Sequence, residues 1–449
     1  MNSIVADLHL HSKYSRAVSP KMTLPSIADY AKIKGINLLS TGDFTHPLWF
    51  EHLRSQLIEK KAGIYQVKDR GTLEYAKFVI GGEISCIYTQ NGKGRRIHII
   101  VLLPNLEVAE KVNSKLKARG CNLLSDGRPI INLSVIKLLE LLFTINENII
   151  IIPAHIWTPW FGMLGAKSGF DSLRECCGMY ADNILAIETG LSSNPEMNWQ
   201  IAELNSKSIV SFSDAHSLEK LGRELTVFSR INNEKIEIKN TEFNYQDLKM
   251  LLQNKGNWRI EKTVEFYPQE GKYHVDGHRS CGIKRMPEEI TKLGRACPMC
   301  GKMLTPGVLG RVQQLADTLV KLQKTQNRNG VLEYTTKGDY KRPYQMLVPL
   351  TTILSQLYQM GDKSKKVTGT YVKLIKQLGN ELEILSEVNL TDIAKAGGEK
   401  LSLAIAKVRS GNIFVDPGFD GQFGKVKIWP TQTDIKKNTV SQNIQETLF

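Results

Sequence analysis

The sequence predicts an α/β fold built on a parallel sheet or an α/β barrel, with a small zinc module and a helical region behind it. Three observations carry this. Short apolar runs alternate with amphipathic segments from Ile4 to Phe212, the pattern of strands joined through helices. Most of those runs end in His, Asp or Glu, the residues that hold metals. Two Cys/His pairs with the spacing of zinc knuckles follow in the second half.

Ile4 to Ala6 reads as a short buried strand, followed by Asp7-Leu8-His9-Leu10-His11. On an extended backbone the i, i+2 spacing places both imidazoles on one face, and neutral imidazole is the commonest metal ligand. Ile27, Tyr30, Ala31 and Ile33 give Leu24–Lys34 helical spacing, closed by Gly35. A strand over residues 36–40 precedes Asp43 and His46, and one over 78–81 precedes Glu83. A strand over 97–103 carries His98, a helix over 135–143 follows, and a strand over 149–153 leads to His155. Residues 184–188 end on Glu188, and 209–212 lead to Asp214 and His216. Barrels gather the C-terminal ends of their strands on one face, so this series predicts a multinuclear metal site. Histidines sharing a carboxylate suit Zn, Mn or Fe. Two such metals about 3.5–4 Å apart activate water and stabilise the oxygens of a phosphoester displacement.

Two features flank the ligands. Trp157, Trp160 and Phe161 follow His155 and either stack on an exposed nucleotide or pack a loop onto the sheet. Arg95 and Arg96, with Lys13 and Arg16, either contact phosphates or remain solvated.

In the second half, a helix is expected over 245–253. His278-x₂-Cys281 and Cys297-x₂-Cys300 then predict a closed structural zinc site, with His274 as an alternative ligand. Cys86, Cys121, Cys176 and Cys177 are read as free thiols. Apolar spacing predicts helices over 308–322, 349–360, 370–379 and 390–409, rich in lysine at 363, 365, 366, 373 and 376. Gly397-Gly398 lends 393–401 a faint helix–hairpin–helix look. A terminal strand is expected over 426–429. The tail from Pro430 is polar and expected to be disordered, and its Gln445, Leu448 and Phe449 resemble the peptide that sliding clamps bind.

Hydrophobic content of 41% and charge of 23% are those of an ordinary folded protein. No run of eighteen apolar residues exists, which excludes a membrane-spanning helix. The first residues lack a cleavable signal pattern and the seven cysteines make no disulfide framework, so a cytoplasmic setting is expected. The net charge of +14 favours a polyanionic partner, nucleic acid first.

Asp-Leu-His-Leu-His-Ser from Asp7, Thr-Gly-Asp-Phe-Thr-His from Thr41, Gly-Gly-Glu from Gly81, His98, Pro-Ala-His to His155 and Ser-Asp-Ala-His from Ser213 together resemble the polymerase and histidinol phosphatase (PHP) family. The resemblance implies a distorted (β/α)7 barrel with two to three divalent metals (Zn, Mn or Mg). It implies His9, His11, Glu83 and Asp214 around one metal, and Glu83 bridging to a second with His98 and His155. Asp43, His46 and His216 fall in the region of a third. Asp43-Phe44-Thr45-His46 replaces the family's usual Asp-His, and Arg16-Ala17 its usual Asp-Gly. Asp214, Glu83 and His216 are the residues to which it gives the catalytic work.

With the zinc knuckles and the basic helical region, the likeness extends from Asp7 to Trp429 and is to the endonuclease Q family. That implies a barrel over residues 1–268, a zinc module over 269–306, a DNA-binding region over 307–429 and a tail over 430–449. It also implies cleavage on the 5′ side of deaminated bases or abasic sites in double- or single-stranded DNA. A phosphatase of a small phosphorylated metabolite would need neither zinc module nor basic helices. A non-catalytic DNA- or clamp-associated scaffold would not need so full a ligand set.

Overall fold

The computed structural model describes residues 3–68, 76–231, 242–338, 341–432 and 434, so the clamp-like peptide lies outside the described residues. The chain forms two compact units, Met1–Thr263 with Leu315–Asp317, and Val264–Gln314 with Thr318–Phe449.

The first unit is a mixed α/β structure. Its strands are β1 (Ser3–Asp7), β2 (Leu38–Ser40), β3 (Leu57–Lys61), β4 (Ile64–Val67), β5 (Lys77–Gln90), β6 (Lys93–Leu103), β7 (Ile130–Ile131), β8 (Ile150–Pro153), β9 (Ala186–Glu188), β10 (Ser208–Val210) and β11 (Leu225–Arg230), and strand β12 (Trp258–Glu265) closes it. Its helices are α1 (Leu24–Lys34), α2 (Pro47–Gln56), α3 (Leu106–Ala118), α4 (Val135–Ile145), α5 (Leu173–Cys177), α6 (Pro195–Trp199) and α7 (Tyr245–Leu252). Helix α1 ends where expected, because Gly35 adopts the left-handed conformation (φ 85°) that closes a helix.

The sheet is not purely parallel. β1–β2, β2–β5 and β9–β10 are parallel, but β1–β11, β5–β6 and β6–β8 are antiparallel. β5 and β6 form one long hairpin that reads in sequence as continuous apolar runs, since both of its faces are covered over 97–103. Ile4, Ala6 and Leu8, Ile100 and Leu102, Ile150 and Ile152, and Val210 and Phe212 alternate inward into one core with Leu248, Leu251 and Leu252 of α7. Tyr245 donates its hydroxyl to Leu102 O (2.8 Å) and takes the Ile150 N–H (3.2 Å), so α7 closes the end of β8 away from His155.

The second unit begins with the hairpin β13 (Asp276–His278) and β14 (Ile283–Arg285), then α8 (Pro287–Leu293) and α9 (Val308–Leu315). An antiparallel sheet of β15 (Leu322–Gln326), β16 (Leu332–Thr336) and β17 (Tyr344–Met346) follows. Helices α10 (Leu350–Tyr358), α11 (Lys365–Leu378), α12 (Glu381–Ser386), α13 (Leu390–Gly397) and α14 (Glu399–Arg409) pack together, and β18 (Phe414–Asp416) pairs with β19 (Lys425–Lys427). Val367, Leu374, Ile393, Leu401 and Ile405 are buried in that bundle, each side chain worth about 1.5–3 kcal/mol.

Two helical expectations are corrected here. The helix expected over 308–322 stops at Leu315, and Leu319, which fits the apolar spacing, is 97% exposed. The helix expected over 390–409 is two helices broken at Gly398, whose φ of 90° and ψ of 159° only glycine adopts readily. The three strands of 322–346 lie in a region the sequence reads as helical. Among the described residues, no helix is long and apolar enough to cross a membrane.

Candidate metal centre

The site is assembled by the hairpin and by loops at the ends of four strands. Glu83 and His98 lie within β5 and β6 rather than at strand ends; Ser85 pairs directly with His98, so Glu83 is its diagonal neighbour on the same face. Gly82 lets β5 approach closely, since a Cβ there would stand 2.6 Å from Asp43 N. Three site residues hold positive φ without being glycine: Asp43 (47°), His155 (30°) and Asp214 (46°). Such strain persists where the surroundings enforce it, characteristically at functional sites.

Glu83 is the centre. Its Oε1 lies 2.8 Å from His98 Nδ1, 3.1 Å from His155 Nε2 and 3.5 Å from His9 Nε2. Its Oε2 faces His11 Nε2 at 3.6 Å and accepts from Arg128 Nη1 at 3.1 Å. Asp214 Oδ1 lies 3.1 Å from His11 Nε2, 3.7 Å from His9 Nε2 and 3.5 Å from His216 Nδ1. Three overlapping groups could each hold a cation: His9, His11 and Glu83; His11, Asp214 and His216; and Glu83, His98 and His155. Ligand nitrogens about 2.1 Å from a tetrahedral zinc stand roughly 3.4 Å apart, close to the spacings here.

The far nitrogens of these rings are fixed by neighbours. His9 Nδ1 donates to Glu188 (2.9 Å), His11 Nδ1 to Asp43 (3.0 Å), and His155 Nδ1 meets Thr158 Oγ1 (2.8 Å). Each bond leaves Nε2 aimed into the site, the arrangement by which outer partners orient metal-binding histidines. His9 Nε2 is buried with no hydrogen-bond partner among the described residues, an orphaned lone pair that a cation would satisfy. The residues therefore fit divalent metals.

Burial works against the Glu83 carboxylate, but His98 and His9 outweigh it and hold its pKa well below the usual range. Asp214 is likewise lowered against burial, chiefly by His9 and His11. Burial lowers His98 to about 4, against the pull of Glu83. His11 is raised to about 9 despite burial, by hydrogen bonds to Asp214 and Asp43.

A second cluster lies in the other unit. His278, Cys281, Cys297 and Cys300 converge, with His278 Nδ1 3.5 Å from Cys300 Sγ. Gly301, at φ 73°, turns the chain so that its N–H reaches Cys297 O at 2.9 Å, closing the knuckle. His274 is buried but outside this group.

A crystal structure of the lesion-specific endonuclease PfuEndoQ from Pyrococcus furiosus superposes with a TM-score of 0.79 at 28% identity, over 97% of this chain and 99% of that one. The chain is a relative of endonuclease Q. A second endonuclease Q structure, a complex with a 27-mer duplex carrying an abasic lesion at the active site, matches with a TM-score of 0.78 at 28% identity, over 97% and 98% of the two chains. The model of the MJ0043 C-terminal domain matches residues 349–412. The uncharacterised YqxK of Bacillus subtilis is 28% identical across 95% of this chain and its own full length. The uncharacterised MJ0043 of Methanocaldococcus jannaschii is 29% identical over 64% of this chain, which spans only 33% of that protein.

In this endonuclease Q relative, several residues stand apart from where the sequence suggests. Asp43 faces His11 Nδ1 and takes both the N–H and hydroxyl of Ser12 (2.6 Å each), so it orients His11 and stands outside the three groups. His46 stacks on Tyr14 (4.5 Å) with Nε2 at Leu124 O, outside the three groups. Trp157 is fully buried and donates to Asn198 (2.8 Å), which assigns it to packing. Arg95 is buried, stacked on Phe170 (3.8 Å) and bonded to Gly169 O and Glu175, so it braces the chain instead of meeting phosphate. Trp160 is half-buried, Phe161 rests 4.4 Å from His98, and Arg96 is exposed. Arg128 has no precursor in the sequence reading. It sits in a loop without apolar periodicity, and only the fold brings it to Glu83.

Proposed function

We propose that this chain is a metal-dependent, lesion-specific DNA endonuclease, hydrolysing the phosphodiester 5′ to deaminated bases (hypoxanthine, uracil, xanthine) or abasic sites. The observation that carries the reading is Glu83, a buried carboxylate facing four histidine nitrogens, with Asp214 shared by His9, His11 and His216. The likeness to endonuclease Q over nearly the whole chain, and the abasic duplex held by one such structure, support it.

In this reading the first unit is a PHP-type (β/α)7 barrel. His9, His11, Glu83 and Asp214 would hold one metal, Glu83, His98 and His155 a second, and His216 with His11 and Asp214 a third. Bound there, divalent metals supply an activated water and countercharge for the phosphate oxygens. The chain's own part is orientation: Glu188, Asp43 and Thr158 fix the imidazoles, and Arg128 holds the outer oxygen of Glu83. A damaged or mispaired base costs least to unstack, which gives lesion selectivity before any contact is made. His278, Cys281, Cys297 and Cys300 hold a structural zinc. Residues 307–429 contact DNA, and the terminal Gln445, Leu448 and Phe449 engage a sliding clamp.

The test is a nicking assay on end-labelled duplexes bearing one hypoxanthine, uracil or abasic site, with Mg²⁺, Mn²⁺ or Zn²⁺, beside an undamaged control. A single cut 5′ to the lesion, abolished in Asp214→Ala, is the expected result. Absence of any lesion-dependent cut, together with turnover of a small phosphomonoester, would overturn it in favour of a phosphatase.

A further inference from the structure

The helical segment matched by the MJ0043 C-terminal domain has one feature that metal chemistry does not use. A groove of about 520 Å³ opens beside α10, α14 and β19, its lining including Gln356, Lys400, Lys425, Lys427, Trp429 and Glu270. That volume is within the roughly 300–1,000 Å³ of small-molecule sites. Its shape is fixed by Gln356, whose amide donates to Val426 O (2.8 Å) and accepts from Ile428 N (2.9 Å), fastening α10 to the strand that leads into Trp429. The half-buried Trp429 presents its ring to the groove, with Lys400 Nζ 5.3 Å over it.

The charges divide unequally. Lys427 is committed to Asp434 at 2.8 and 2.9 Å. Lys400 and Lys425 are exposed, and Glu270 is the single acid among the lining residues. Lys400 also stands in the first turn of α14, next to Glu399. An aromatic face and two exposed ammonium groups together match a planar ring carrying a phosphate.

We propose that this groove takes one unpaired nucleotide of a DNA strand, its base on Trp429 and its phosphate between Lys400 and Lys425. Inside a duplex both faces of a base are covered by its stacked neighbours, so the occupant is single-stranded or splayed. The lysines' long stems let Lys400 leave the ring for the phosphate when the base arrives. The inference rests on the DNA reading above, but its measurement does not depend on cleavage.

The experiment titrates the full-length protein, its metals left in place, with an oligothymidylate, with dTMP, and with a blunt undamaged duplex, none of which carries a lesion to be cut. Tryptophan fluorescence and anisotropy of labelled DNA are followed. The oligothymidylate should quench fluorescence and the quench should vanish in Trp429→Phe. Lys400→Gln with Lys425→Gln should weaken binding about tenfold or more and flatten the salt dependence by roughly 1.4 in log–log slope, two single-strand phosphate contacts' worth. Unchanged affinity and quench in both variants, with melting curves like the parent's, would overturn the proposal. So would dTMP binding as tightly as the oligonucleotide, which would make the site one for free nucleotides. So would tighter binding of the undamaged duplex that the same variants weaken. Nicking of lesion duplexes by the same preparations reads the catalytic proposal separately.

Discussion

Glu188 shows how much of the site depends on residues outside the candidate metal groups. It is fully buried, accepts from His9 Nδ1 at 2.9 Å, and takes the His155 N–H at 2.6 Å, so one carboxylate orients residues of two metal groups. Replacing it by Gln preserves its shape but lets an amide face one of those two donors. Outer-partner changes of this kind cost about 10–100-fold in metal affinity or activity. Glu188→Gln should therefore loosen divalent binding by that factor in a chelator competition, with little change in unfolding midpoint. His274 has the opposite character, a buried titratable group outside both clusters. Burial lowers its pKa to about 4 from the ordinary 6.5. Between those values the unfolded chain takes a proton that the folded chain refuses. Its contribution is thus present above pH 6.5 and is lost as pH falls through the window. At pH 5 the loss is roughly 2 kcal/mol. His274→Gln should remove that share of the acid destabilisation, read as the change in urea midpoint between pH 7 and pH 5 in parent and variant.

At the scale of elements, what the sequence revealed and what it hid have separate physical causes. His9 and His11, two apart on an extended strand, were legible as a pair because strand geometry alone puts them on one face; their rings lie 5.5 Å apart. Helix α1 was legible to the residue because Gly35 ends it. The hairpin of β5 and β6 was not, because strands covered on both faces have no alternation to read, and Glu83 seemed to follow a strand that in fact continues to Gln90. Residues 308–322 misled for the converse reason: helical spacing of Val312, Leu315, Leu319 and Leu322 arose by chance across a helix end and a new strand. The Gly397-Gly398 pair carried more than its faint motif suggested, since Gly398 is both C-cap of α13 and N-cap of α14. Among the described residues, nothing beyond its immediate chain neighbourhood lies within 4 Å of where its Cβ would stand, so substitution acts mainly through backbone strain. Gly398→Ala should cost about 1–3 kcal/mol, measured by denaturant unfolding followed through helix ellipticity, with no loss of metal binding in the first unit.

For the whole molecule, the division into two units sets what each metal class controls. The first unit encloses a continuous core from Ile4 through Ile260, and its candidate ligands are attached to strands that core already fixes. The knuckle that opens the second unit differs. Met299 and Met303 beside it are 73% and 67% exposed, and β13 and β14 are three residues each, too little apolar burial to hold a hairpin by packing alone. A closed four-ligand zinc would supply that stability directly, on the order of 10 kcal/mol of binding energy coupled to folding. Cys300→Ser should therefore release about one zinc equivalent and expose residues 276–303 to hydrogen exchange, while protection across β5, β6 and β8 persists. Removing metal from the first unit through Asp214→Ala should do the reverse, abolishing turnover but leaving the knuckle's zinc and its protection in place. Should Cys300→Ser leave exchange at 276–303 unchanged, packing and not metal would be what holds the knuckle.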